Sequence, residues 1–136
     1  MPLPDAEVLA VQWVKSNSAL NVLLSGRVAT RLPQGATFPF LRVYRAGGSP
    51  DNSEAPLDHA VMQFDSFGSD GDTSPAYAEA SLVARTLAEE AKEFRGTVTT
   101  YGTILGMTVI NGPRRIEEPE TGYARYLVEL MMMTRE

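Results

Sequence analysis

Cysteine is absent from the 136-residue sequence, and histidine occurs only once, as His59. Without cysteine the chain can form no disulfide framework, no thiolate metal site and no cysteine nucleophile. A single histidine without thiolates also argues strongly against zinc chemistry. We therefore expect no metal and no cofactor, and the lack of disulfides fits a protein made in a reducing compartment.

Long apolar runs are absent as well, since no stretch approaches the about 18 residues that a membrane-spanning helix requires. Met1 to Asp5 lack the basic segment and apolar core of a secretory signal. We therefore expect an intracellular protein without a membrane partner. The net charge of −5, from 17 acidic and 12 basic residues, argues against tight, sequence-independent binding to DNA phosphates.

Recognisable catalytic motifs are missing. The sequence has no phosphate-binding loop, no dinucleotide-binding glycine pattern and no Gly-x-Ser-x-Gly nucleophile elbow. Asp70 to Ser74 begins like a calcium loop, but Pro75 and Ser81 occupy the positions where that loop needs glycine and glutamate. These absences argue against an enzyme, and we expect a protein without catalytic activity.

Hydrophobic periodicity predicts an α+β fold. Helical spacing or helix-start residues mark three segments, while strand-type alternation and turn residues mark several others. The predicted elements are helices at 4–15, 18–24 and 74–95 and strands at 27–32, 38–46 and 57–67, with loops at 47–56 and 68–73. With the strands of the last third, this order predicts one domain over residues 1–136. We expect a mainly antiparallel sheet of about four or five strands with two main helices packed on one face.

The last third, 97–135, is rich in Val, Ile, Thr and Tyr and is predicted to form paired strands, with a break at Gly112-Pro113 and a turn at 120–122. In the final strand one face carries Tyr126, Val128, Leu130 and Met132, and the other carries Arg125, Leu127, Glu129 and Met131. A surface strand with one solvated face would place only polar residues on that second face. Leu127 and Met131 therefore indicate that another molecule partly covers it.

Met131-Met132-Met133 strengthens this interpretation, because a strand alternates faces and methionine recurs at adaptable contact surfaces. Arg114-Arg115 lies beside an acidic hairpin tip and is expected either to bind phosphate or to pair with those acids. The loops 47–56 and 68–73 are expected to order on meeting a partner. The candidate subunit or partner interface is Leu127, Glu129, Met131, Met133, Arg114, Arg115, Asp51 and Asn52.

Five segments together carry a family pattern. They are Leu3-Pro4-Asp5-Ala6-Glu7, the strand Thr37 to Val43, the strand Leu57 to Gly68, the helix with Ala80, Ala84, Arg85 and Leu87, and Pro119 to Tyr126 before the last strand. In this order they resemble the tail terminator, or tail-completion, proteins of long-tailed bacteriophages, especially those of actinobacterial phages. The resemblance covers nearly the whole chain.

The resemblance implies a structural role in the virion. Such proteins form a six-membered ring on the end of the finished tail tube, stop its growth and present the surface that docks to the head. The implied partners are further copies of the chain, the tail tube protein, a head-completion or connector protein and the tape measure protein. DNA would only pass through the lumen. The implied location is the head-proximal end of the tail, with the host cytoplasm as the site of assembly.

Simple dimensions are compatible with a ring. A compact domain of this size has a radius of gyration of about 14 Å, and six equal discs in a circle leave a hole as wide as one disc. Such a lumen admits a DNA duplex, and a net negative protein would repel the passing phosphates.

Two alternatives stay open at this point. One is a head-completion or connector protein of the same particle, which sequence pattern separates poorly from a tail terminator. The other is a small α+β enzyme or ligand-binding domain with a pocket at the sheet edge around Tyr44, Tyr101 and Asp65.

Overall fold

The structure, a computed structural model, describes residues 3–51, 56–69, 74–117 and 122–136. Within these ranges it contains three helices, α1 (Ala6–Ser16), α2 (Ser18–Leu24) and α3 (Ser74–Lys92). The same ranges contain six strands, β1 (Val28–Ala29), β2 (Phe40–Pro50), β3 (Asp58–Gly68), β4 (Thr97–Thr99), β5 (Gly102–Ile116) and β6 (Ala124–Arg135). The α+β class and the three predicted helices are confirmed, with α2 short beside the two main helices, whereas the expected four or five strands are corrected to six.

All six strands form one sheet in the order β1-β2-β3-β6-β5-β4. Only β1 and β2 are parallel, and every other neighbouring pair is antiparallel. The two outermost strands are short. β1 has two residues, within the predicted strand 27–32, and β4 has three, within the strands predicted for the last third.

The three helices pack on one face of the sheet. The even-numbered residues of β3 and β6 point toward them, so that Met62, Leu130 and Met132 are fully buried in the main core. The Ser66 hydroxyl donates a 2.9 Å hydrogen bond to the Ala80 carbonyl and ties α3 to β3. The odd-numbered residues of β3 and β6 point the other way, onto what we call the helix-free face. In the described part of the chain no helix is long and apolar enough to cross a bilayer.

Strand β2 is longer than the sequence predicts, and β1 is shorter. β2 continues to Pro50, which pairs with Asp58, and a bulge between Arg45 and Gly47 adjusts its register. Most of the first half of the predicted loop 47–56 is therefore strand, because its backbone bonds to β3 even though its side chains are small. Residues 52–55 lie outside the described ranges. The predicted strand 27–32 shrinks to the two residues of β1.

Strand β5 passes through Gly112 and Pro113, so the predicted break at these residues is wrong. The register with β6 shifts between Asn111 and Arg114, which leaves the two residues as a bulge within one strand. Gly112 has a φ of +86°, a conformation that L side chains rarely adopt. A glycine–proline pair can thus serve as a bulge in a continuing strand as well as a strand end.

Gly112→Ala is expected to lower the free energy of unfolding by about 2 kcal/mol, since an alanine at positive φ costs on the order of 1–2 kcal/mol before any clash. Its Cβ would also lie 2.3 Å from the Leu127 carbonyl oxygen. The matched control is Gly106→Ala on the same strand, where a Cβ meets no atom within 4 Å and φ is not positive. Urea denaturation should show a clear loss for the first variant only. Equal midpoints for the two variants would contradict the prediction.

Candidate interaction surface

The four predicted interface residues of β6 share the helix-free face. Leu127, Glu129, Met131 and Met133 alternate with the buried core residues of the same strand. Leu127 is only 5% exposed, whereas the other three are partly exposed. The chain's own packing therefore leaves little of Leu127 for a partner, and the two methionines carry most of the available apolar surface.

On the neighbouring strands the two methionines face one apolar residue and three small or polar residues. Met131 pairs with Val61 on one side and with Thr108 on the other. Met133 pairs with His59 and with Gly106, above which there is open space. We call Val61, Met131 and Met133 the methionine patch. A partly exposed apolar strip of flexible side chains is typical of a surface that packs against another molecule.

The other end of the helix-free face holds a buried carboxylate. The Asp65 side chain is fully buried, although no helix covers this face in the described ranges. Arg42 donates to one carboxylate oxygen from Nη2 at 2.6 Å and from Nε at 3.2 Å. Arg125 donates to the other oxygen from Nη2 at 3.0 Å and from Nε at 3.2 Å, and Gln63 Nε2 adds a bond of 3.1 Å to it. Five hydrogen bonds thus satisfy the carboxylate without water.

Aromatic rings complete this cluster. The guanidinium groups of Arg42 and Arg125 lie 5.2 and 5.9 Å from the centre of the Phe67 ring, and Arg42 lies 5.6 Å from that of Tyr44. Burial, followed by the charge of Asp65, raises the pKa of the Tyr44 hydroxyl. We call Arg42, Asp65 and Arg125, with Phe67 beneath them, the arginine–aspartate cluster. Its side chains hold one another in place through these hydrogen bonds and ring contacts.

The predicted pocket around Tyr44, Tyr101 and Asp65 does not form. Tyr44 and Asp65 belong to neighbouring strands near the arginine–aspartate cluster, but Tyr101 lies in the turn between β4 and β5. There Tyr101 lines a separate surface groove with Pro4 and Glu136. The sequence could not show this, because the separation depends on the strand order.

Arg114 and Arg115 point to opposite faces of β5 and do not converge on one site. Arg114 is exposed and stands opposite Leu127 on the helix-free face. Arg115 lies 4.1 Å from the centre of the Tyr77 ring and its Nη2 is 3.2 Å from the Glu117 carboxylate. The arrangement of Arg115 therefore favours pairing with an acid of the hairpin tip over a shared phosphate site, while Glu118 and Glu120 lie outside the described residues.

Asp51 closes the base of the loop that contains Asn52. Its backbone N–H donates to the Leu57 carbonyl at 2.9 Å, and its carboxylate accepts from the Leu57 N–H at 3.2 Å. The same carboxylate lies 3.6 Å from Nε2 of His59. Asn52 itself lies outside the described residues. The lone histidine of the chain thus has a local structural neighbour, and Asp51 joins the described residues on the two sides of the segment that was predicted to meet a partner.

A second buried carboxylate, that of Asp58, pairs with an arginine at the β2 bulge on the helix side. Arg45 Nη1 and Nη2 lie 2.6 and 2.7 Å from the two oxygens of Asp58, and this hydrogen bonding raises the pKa of the guanidinium. The Arg45 backbone N–H donates to the Glu7 carboxylate at 3.0 Å. A side chain of α1 therefore occupies a donor on the outer side of β2, which partly protects that sheet edge.

The fold is similar to that of a chain in a solved particle, described as "Virion of native gene transfer agent (GTA) particle". The TM-score is 0.58 at 12% sequence identity, over 92% of this chain and 90% of that chain. At this identity the likeness shows a shared fold, and the fold is one that a virion component adopts. No curated protein sequence matches the chain.

A sequence profile identifies the family within this class. The family described as Tail completion protein gp17 matches residues 10–135, which is nearly the whole chain. The chain therefore belongs to this family of phage tail-completion proteins. It is a structural component of a phage-like virion and not an enzyme.

Proposed function

We propose that the protein forms a ring of six copies that caps the tail tube, ends its polymerisation and provides the docking surface for the head. DNA passes through the lumen of this ring. The observation that carries the proposal is the match of the tail-completion family over residues 10–135. The ring would lie at the head-proximal end of the tail, after assembly in the host cytoplasm.

The exposed methionine patch supports a role in assembly. Within the described residues, Met131 and Met133 are only partly covered by their own chain, on a face that no helix shields. A closed cyclic ring needs a heterologous interface, in which two different patches of each copy meet. In this proposal the methionine patch, with the nearby Glu129 and Arg114, belongs to one of these patches or to the contact with another virion protein.

The partners follow from the position in the tail. They are further copies of the chain, the tail tube protein, a head-completion or connector protein and the tape measure protein. The net charge of −5 suits a conduit, because a negative wall repels DNA phosphates and lets the duplex slide. DNA is cargo in this proposal and not a ligand.

The test is assembly with the tail tube protein of the same virus. Multi-angle light scattering and negative-stain images should show six-membered rings, either of the purified protein alone or on the ends of tubes, and added protein should stop tube growth. A monomer that never associates with itself or with tubes would overturn the proposal. A twelve-membered ring that binds only connector protein would instead assign the chain to the neck of the particle.

A further inference from the structure

Exposed apolar side chains gather at one edge of the sheet. Among the described residues six large apolar side chains are exposed, and all except Val22 lie on β4, on β5, in the turn between them or on the adjoining flank of α3. These five are Leu82, Val98, Tyr101, Leu105 and Ile110. Leu82 belongs to this set because it lines a groove of about 350 Å³ between α3 and Pro113 of β5. We call this edge with its flank the β5 margin.

The β5 margin also has a free strand edge. β4 pairs only with Gly102 to Ile104, so in the described part of the chain the outer side of β5 has no partner strand from Leu105 onward. An edge strand with exposed apolar side chains is a surface on which another chain can pack. The margin is continuous with the methionine patch, since Gly106 and Thr108 of β5 pair with Met133 and Met131.

The opposite edge of the sheet carries a groove. It lies between α1 and β1, has a volume of about 400 Å³ and is lined on its apolar side by Val8, Val11 and Val28. Asp5, Glu7 and Lys15 also line it, two acids against one base. The groove beside Leu82 has the reverse balance, with Arg85 and Lys92 against Glu89. The two edges therefore carry opposite charge balances, acidic at the α1–β1 groove and basic beside Leu82.

We propose that the β5 margin of one copy packs against the α1–β1 groove of the next copy, with Ile110 and Leu82 entering the groove. This inference rests on the proposed ring and names its two patches. A second copy is the occupant because the margin and the groove lie at opposite ends of the strand order. That is the arrangement a head-to-tail contact needs in order to propagate around a closed ring.

Strand direction is compatible with this contact. The strands β2, β3, β6 and β5 alternate in direction, and β1 is parallel to β2, so β1 and β5 run in opposite directions. Where the strands follow the ring axis, rotation about that axis preserves their directions. Strand β5 of one copy then runs antiparallel to strand β1 of the next copy. This is the same relation that pairs β2, β3, β6 and β5 within one copy.

The test uses one variant in each patch. Ile110 is 49% exposed, and Ile110→Asp places a charge in the margin. Gln12 lines the groove, and Gln12→Trp fills it. Under conditions in which the wild type forms rings, each variant alone should stay monomeric. An equimolar mixture should give a one-to-one dimer that grows no further. The Gln12→Trp copy keeps an intact margin and the Ile110→Asp copy keeps an intact groove, so only one contact can form. Native mass spectrometry distinguishes these species.

Controls distinguish a loss of assembly from a loss of folding, and they distinguish this particular contact from the proposed ring. Val22→Asp on α2, at a position 80% exposed and outside both patches, should form rings as the wild type does. Circular dichroism reports folding, and Leu82→Asp replaces Ile110→Asp if the latter is unfolded. Rings formed by Gln12→Trp, or a mixture that stays monomeric, would overturn this contact while leaving the proposed function intact. A wild type that forms no ring and binds no tube would instead remove the proposed function.

Discussion

Asp65→Ala is expected to lower the free energy of unfolding by about 3 kcal/mol and the melting temperature by about 10 °C. The substitution leaves Arg42 and Arg125 side by side without the carboxylate that accepts two hydrogen bonds from each of them and one from Gln63. The side chains of Arg42 and Arg125 are 29% and 16% exposed, so water solvates part of their charge and reduces the cost of losing the carboxylate. Urea denaturation followed by circular dichroism measures the loss.

The matched control is Glu117→Ala, which removes the acid of an exposed pair. Arg115 and Glu117 are 3.2 Å apart but are 51% and 80% exposed, so the loss of their contact should cost less than about 0.5 kcal/mol. Asp65→Asn keeps the shape of the side chain and should fall between the two. If Asp65→Ala unfolds at the same urea concentration as Glu117→Ala, the cluster contributes no more than a surface ion pair.

Local sequence signals predicted the parts of the fold that depend on neighbours along the chain. The first helix was predicted at 4–15, and in the structure Asp5 caps it by accepting hydrogen bonds from the N–H groups of Glu7 and Val8. The alternation of β6 correctly separated Met132, fully buried, from Met131 on the opposite face. Both signals act over a few residues, where spacing determines geometry.

The rest depended on pairing that spacing does not reveal. Asp65 meets Arg42 and Arg125 over sequence separations of 23 and 60 residues, so the arginine–aspartate cluster appears only once the strand order is known. The same holds for the β5 margin, because β4 is too short to cover β5 beyond Ile104. Gly112-Pro113 was predicted to end a strand but forms a bulge within β5, because the same residue pair is compatible with both.

Met131→Asp is expected to abolish association, with itself or with tube ends, while the chain stays folded. Met131 is partly exposed on the helix-free face, so in the single copy a carboxylate there can reach water. In an assembled contact the same carboxylate would be buried beside Val61 without a partner, a cost of several kcal/mol and therefore a loss of association of about a thousandfold or more. Analytical ultracentrifugation and pull-down on tubes measure it.

Met132→Asp is the matched comparison, since the same substitution at the adjacent residue lies on the opposite face. Met132 is fully buried between the sheet and the helices. Its replacement should therefore lower the free energy of unfolding by more than about 4 kcal/mol, enough to unfold the chain. The contrast is decisive because composition, charge and strand are held constant and only the face changes. If Met131→Asp is the variant that loses its circular dichroism signal, that side chain belongs to the core and the helix-free face is not the contact surface.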